Sequence, residues 1–132
     1  MEVIETTFDI NRNHIHLEVI VLNKDGVEYS VDAILDTGAP RTEFSDQFLF
    51  FTGFIESSDT DVKINGGLQS KKYNRINLPQ VNICGHLLNN FEVFVSTFEE
   101  SWGIDALIGL DFFRMFDVEI DYSKGLIITV PF

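Results

Sequence analysis

A chain of 132 residues, 45% hydrophobic and 23% charged, suits one domain with a single real core. Nine basic residues against 21 acidic ones give a net charge of −12, which repels phosphate backbones and disfavours nucleic-acid binding. No apolar run approaches the roughly 20 residues of a membrane-spanning helix, and the apolar content argues against intrinsic disorder.

The expectation is therefore one domain over residues 1–132, with neither nucleic acid nor membrane as partner. The first five residues lack the basic patch and apolar stretch of a signal peptide. Cys84 is the single cysteine, so no intrachain disulfide can form and an oxidising compartment is not implied. A cytoplasmic location is expected.

Ile15, Leu17, Val19 and Val21 alternate with polar residues, a period-two strand pattern. Asn23-Lys24-Asp25-Gly26 supplies a turn, and Val27, Tyr29, Val31, Ala33 and Leu35 alternate after it. A hairpin thus carries the chain to Asp36. One helical turn is expected from Ser45, then a strand over 62–64. Asn65-Gly66-Gly67 turns that strand back through the polar stretch 69–75. Residues 81–83 and 91–95 flank Cys84-Gly85-His86 as another hairpin, and 110–116 has the pattern of a short amphipathic helix. Residues 118–120 and 126–130 pair across Tyr122-Ser123-Lys124-Gly125. Many short strands at turn-punctuated spacing define an all-β fold. Thirteen Phe residues, clustered at 44–54 and 112–116, read mainly as core. A faint internal echo links Asp32-Ala33-Ile34-Leu35-Asp36 with residues 105–111, as if two similar β halves were present.

The chemistry concentrates where an apolar strand, Ala33-Ile34-Leu35, runs into Asp36-Thr37-Gly38-Ala39. A carboxylate at the end of a buried strand is costly unless it is paired, hydrogen-bonded or protonated. Gly38 lets a backbone or substrate approach closely, and the Thr37 hydroxyl can anchor the loop. The bland alternative is a turn that ends a strand, since Asp and Gly are common turn residues.

Two stretches resemble the retropepsin-like aspartic proteases: Ile34-Leu35-Asp36-Thr37-Gly38-Ala39 with Thr42 following, and Ala106-Leu107-Ile108-Gly109-Leu110-Asp111-Phe112-Phe113. The ending over 116–125 also looks like the strand and turn that close such domains, so the resemblance spans about residues 14–130. It implies a closed β-barrel, half of an acid-protease architecture, with one short helix. It implies no metal and no organic cofactor. Aspartic proteases hold one water between two carboxylates, and this chain carries one Asp-Thr-Gly. The resemblance therefore implies a homodimer in which each copy donates Asp36.

The implied activity is hydrolysis of polypeptide by an aspartic endopeptidase. On the same analogy Thr37 grips the partner's loop, Gly38 takes substrate main-chain contacts, and Ala39 and Thr42 support the loop. Ala39 stands where pepsin-like enzymes usually carry a hydroxyl, which favours a less acidic working range. Asn65, Gly66 and Gly67 would form the flap over bound peptide. The terminal segments, 1–8 and 126–132, would make the dimer contact. Two departures stand out: Pro40 replaces a small or polar residue, and the flap candidate is polar, with Lys71 and Lys72. The alternative reading is a non-catalytic domain of the same fold that binds peptide or dimerises.

Other groupings carry less. His14 and His16 share a strand face with no third ligand at a recognisable spacing, so they read as solvent-facing. Cys84-Gly85-His86 reads as a turn, and Cys84 lacks a placed base. Asp59-Thr60-Asp61 opens like a calcium loop, but Lys63 and Ile64 occupy a ligand position and the glycine position. Asp111, opening a helix, reads as a cap or dipole partner rather than a second catalytic acid. Glu99-Glu100 reads as a solvated loop face.

Overall fold

The computed structural model of the chain describes residues 2–55, 62–65, 68–71 and 75–132. The alternating segment forms β2 (His16–Leu22), whose Leu17, Val19 and Val21 face inward while Glu18 is exposed. Asn23 closes the turn to β3 (Glu28–Leu35): its Oδ1 accepts from the N–H groups of Asp25 (2.9 Å) and Val27 (3.0 Å). Gly26 supplies the positive φ, +81°, that this turn requires.

β4 (Glu43–Ser45) leads into α1 (Asp46–Phe51), whose Phe48 N–H is capped by the Ser45 hydroxyl. β5 (Val62–Asn65) and β6 (Leu68–Lys71) pair antiparallel as a hairpin of their own. β7 (Arg75–Ile83) and β8 (His86–Ser96) extend well beyond the strand cores legible in the sequence. Their two-residue turn holds Cys84 at φ 52° and Gly85 at φ 78°, and His86 pairs with Ile83. β9 (Ala106–Ile108) precedes α2 (Leu110–Phe113), then β10 (Phe116–Asp121) and β11 (Leu126–Pro131) complete the chain.

β2, β3, β9, β4, β8 and β7 form a closed barrel in that order, with β7 returning to β2. Closure gives each of those strands a partner on both sides over part of its length. β1 (Ile4–Thr7), β11 and β10 make a separate three-stranded antiparallel sheet. The all-β barrel matches expectation, and among the described residues the helical turn from Ser45 and the 110–116 pattern both appear as short α-helices. The second is also shorter than the 110–116 pattern, because the chain turns after Phe113 to begin β10.

The core joins Val19, Val31, Ala33, Leu78, Val81 and Val93 from the barrel with Phe44, Leu49 and Phe112 from its flanks. Phe44, Phe112, Phe113 and Phe116 are buried as their clustering predicts, whereas Phe50 and Phe51 on α1 are exposed. His86 joins barrel to sheet: Nε2 shares a 2.7 Å hydrogen bond with the Thr129 hydroxyl, and the ring lies 4.2 Å from that of Phe116. The two echoed segments lie side by side, β3 pairing parallel with β9 through Ala33–Ala106, Ile34–Leu107 and Leu35–Ile108. No helix among the described residues is long and apolar enough to cross a membrane.

Candidate active site

β3 delivers Asp36 directly. The parallel pairing with β9 runs one residue past the strand, so the Asp36 N–H donates to the Ile108 carbonyl at 2.9 Å. Beyond that point the chain folds back on itself. The Gly38 N–H donates to Asp36 Oδ1 (2.9 Å), and the Ala39 N–H donates to the Asp36 carbonyl (3.1 Å). A Cβ at residue 38 would sit 3.2 Å from that same Oδ1, so glycine leaves the carboxylate room. Asp36 is half-buried, Thr37 and Gly38 are exposed, and no ion pair reaches Asp36 among the described residues.

The loop is held from behind by residues 69 and 67 positions away. Thr42, fully buried, donates its hydroxyl to Asp111 Oδ1 at 2.7 Å and its N–H to Asp111 Oδ2 at 2.9 Å. The same hydroxyl accepts from the Gly109 N–H at 3.1 Å. The Leu110 N–H donates to the Ala39 carbonyl at 2.8 Å. Gly109 is packed so closely that a Cβ there would lie 2.7 Å from the carbonyl oxygens of both Ala39 and Arg41. The Asp36 loop and the start of α2 are thus one hydrogen-bonded unit.

Asp36, Thr37, Gly38, Ala39 and Thr42 therefore come together. Asp111 does more than the cap reading allowed, because both of its oxygens clamp Thr42. The sequence signal for that clamp was the apolar-apolar-Gly stretch before it. Asn65 ends β5, opposite Leu68, while Gly66 and Gly67 lie outside the described residues, as do Lys72 and Asp59-Thr60-Asp61.

His14 is exposed, but His16 is not simply solvent-facing. It lies half-buried with Nδ1 3.0 Å from Asp32 Oδ1, and Arg12 approaches the other Asp32 oxygen at 3.8 Å. Cys84 is buried, and burial pushes its thiol up to about 11, which removes the thiolate a nucleophile needs. Among the described residues no cluster of three or more His, Cys, Asp or Glu is gathered as a metal would require.

An apolar groove of about 530 Å³ begins beside this loop, lined by Leu35, Thr37 and residues of α2 and β10. Asp36, Gly38 and Ala39 do not line it, so it lies beside the carboxylate and not over it.

Comparison with solved structures identifies the fold that carries this loop. A retropepsin-like aspartic protease from Rickettsia conorii superposes with a TM-score of 0.67 over 97% of this chain and 91% of its own, at 22% identity. The chain has the retropepsin-like fold. The retroviral protease-like domain of Ddi1 from Leishmania major superposes on this retropepsin-like chain with a TM-score of 0.58, at 21% identity. That match covers 92% of this chain and 95% of the other. No protein-family model and no curated protein sequence matches the chain. At these identities the shared property of the retropepsin-like structures is the fold, and chemistry must be argued from the loop itself.

Proposed function

We propose that the chain is an aspartic endopeptidase that works as a homodimer, with Asp36 of each copy facing one water. The observation that carries this reading is the built loop around Asp36. A half-buried carboxylate at the end of a core strand is held by the Gly38 N–H and free of any cation partner among the described residues.

Two carboxylates about 3 Å apart cannot both ionise, so such a pair shares one proton. The ionised Asp36 takes a proton from the water as its oxygen attacks the scissile carbonyl carbon. The protonated Asp36 gives its proton to the carbonyl oxygen, leaving a neutral gem-diol. Collapse of that intermediate returns one hydroxyl proton to a carboxylate, while the departing amine takes a proton from the other as the C–N bond breaks. The net reaction consumes one water and restores the singly protonated pair.

The competing reading is a non-catalytic peptide-binding or dimerisation domain of this fold, and it is raised by Pro40, the departure from the family pattern directly after the loop.

The deciding experiment is digestion of a denatured-protein mixture by wild type and Asp36→Asn, with products read by mass spectrometry. Asp36→Asn keeps the shape and removes the acid, so cleavage by wild type alone supports the endopeptidase. Peptide binding by both without cleavage supports the competing reading. Equal cleavage by both overturns the role of Asp36.

A further inference from the structure

Asp36 belongs to a wider surface than its own loop. On β3, Val31 and Ala33 are buried, so strand alternation puts Asp32 and Ile34 on the outer face. The pairing with β9 runs on to the Asp36 N–H, and the same alternation brings Asp36 to that face. On β9, Ala106 and Ile108 are buried, and Leu107 lies outward between Ile34 of β3 and Glu43 of β4. Asp105, just before β9, donates its N–H to the Asp32 carbonyl at 3.0 Å. The apolar pair Ile34 and Leu107 therefore stands between Asp36 and a rim of acids.

At that rim a cavity of about 300 Å³ opens, lined by Asp105, Glu99 and Glu100 together with Phe98, Ile104 and Ser45. Its volume is at the low end for ligand sites and suits one side chain rather than a whole ligand. Phe98 and Ile104 are buried and give it an apolar wall, while every charge lining it is negative. Asp32 is already engaged by His16 and Arg12, and Glu43 accepts from the Ser96 hydroxyl at 2.8 Å. Asp105 is half-buried and has no side-chain partner among the described residues. Burial and the Asp32 charge both push its carboxyl above the usual range, and a cation beside it offsets both.

Asp32 lies four residues before Asp36 on the strand, a rise of about 13 Å, or four residues of an extended peptide. A lysine stem itself spans about two residues of that length. We infer that this cavity takes a lysine or arginine side chain of the bound polypeptide, its stem against Phe98 and its charge at Asp105. That side chain belongs to a residue about two to four positions from the scissile bond. The inference rests on the endopeptidase reading for the polypeptide that crosses this face. The cavity and its charge are read from the structure itself.

The test uses one library of unstructured peptides in two forms, one carrying Lys and one with every Lys replaced by Met. Each form is offered to the protein for cleavage, read by mass spectrometry, and to Asp36→Asn for binding, read by fluorescence anisotropy. Asp105→Asn, Glu100→Arg and Asp25→Asn are compared in both assays, with circular dichroism as the check on folding. Asp25 is exposed in the β2–β3 turn and loses the same charge away from the cavity lining, so it reports general attraction by the acidic chain. The expected result is a preference for the Lys form of about fivefold or more, largely lost in Asp105→Asn and kept in Asp25→Asn. Glu100→Arg, confined to an exposed side chain, should lower the preference too and decides the matter if Asp105→Asn misfolds. No preference for the Lys form in either assay, or one lost equally in Asp25→Asn, overturns the inference. Binding of the Lys form that depends on Asp105, without cleavage, sustains the cavity and sinks only the endopeptidase reading. Cleavage without a Lys preference does the reverse.

Discussion

Thr42 gives both its hydroxyl and its N–H to the two carboxylate oxygens of Asp111, at 2.7 and 2.9 Å. Buried without that acceptor, the two donors of Thr42 would each carry a desolvation penalty. Asp111→Ala should therefore lower unfolding stability by about 1–3 kcal/mol, and Asp111→Asn by less, since the amide keeps one acceptor oxygen. Urea midpoints of the three proteins check this. Equal midpoints would mean that the clamp contributes nothing.

Gly109 is required for space rather than for backbone freedom. Its φ of −103° is open to any residue, yet a Cβ would meet the carbonyl oxygens of Ala39 and Arg41 at 2.7 Å. Those atoms are backbone and cannot swing aside. Gly109→Ala should cost about 1–3 kcal/mol and displace the Asp36 loop. A thermal melt paired with a peptidase assay reads both effects, and an unchanged melt would contradict the packing argument.

His86 makes stability depend on pH in a defined direction. Burial lowers its pKa from the ordinary 6.5, and Glu2 opposes that only in part. The folded state thus prefers the neutral ring, and the unfolded chain binds more protons. The contribution of the neutral ring is present above pH 6.5 and is lost as pH falls below it. His86→Gln keeps a polar partner for Thr129 without titrating there. Urea midpoints against pH should therefore fall more steeply below 6.5 for wild type than for the variant. Parallel curves would remove His86 from the account.

Cys84 should be inert in the folded protein. Burial raises its pKa to about 11, although the Thr6 hydrogen bond offsets part of the rise, so little thiolate exists at neutral pH. A thiol reagent should label native protein slowly and label urea-unfolded protein at once. Rapid native labelling would show that the β7–β8 turn opens easily.

The sequence alone determined what depends on near neighbours. Alternation fixed β2 and β3, the Asn23–Gly26 turn joined them, and the apolar strand ending in Asp36-Thr37-Gly38 marked the loop. Paired with the apolar-apolar-Gly stretch, that loop was enough to anticipate an all-β, retropepsin-like barrel. Tertiary structure alone decided what depends on distant pairings. β4 and β9 are three residues each, too short to show a period, and they exist because the barrel gives their backbones partners. β1, the polar Ile4–Thr7, is a strand only because β11 lies beside it. Asp111 is a helix-opening acid in one dimension and the acceptor for Thr42 in three. The edges of the three-stranded sheet have the same origin: β11 can pair on two sides, and β1 and β10 occupy both, leaving the outer sides of β1 and β10 without a strand among the described residues.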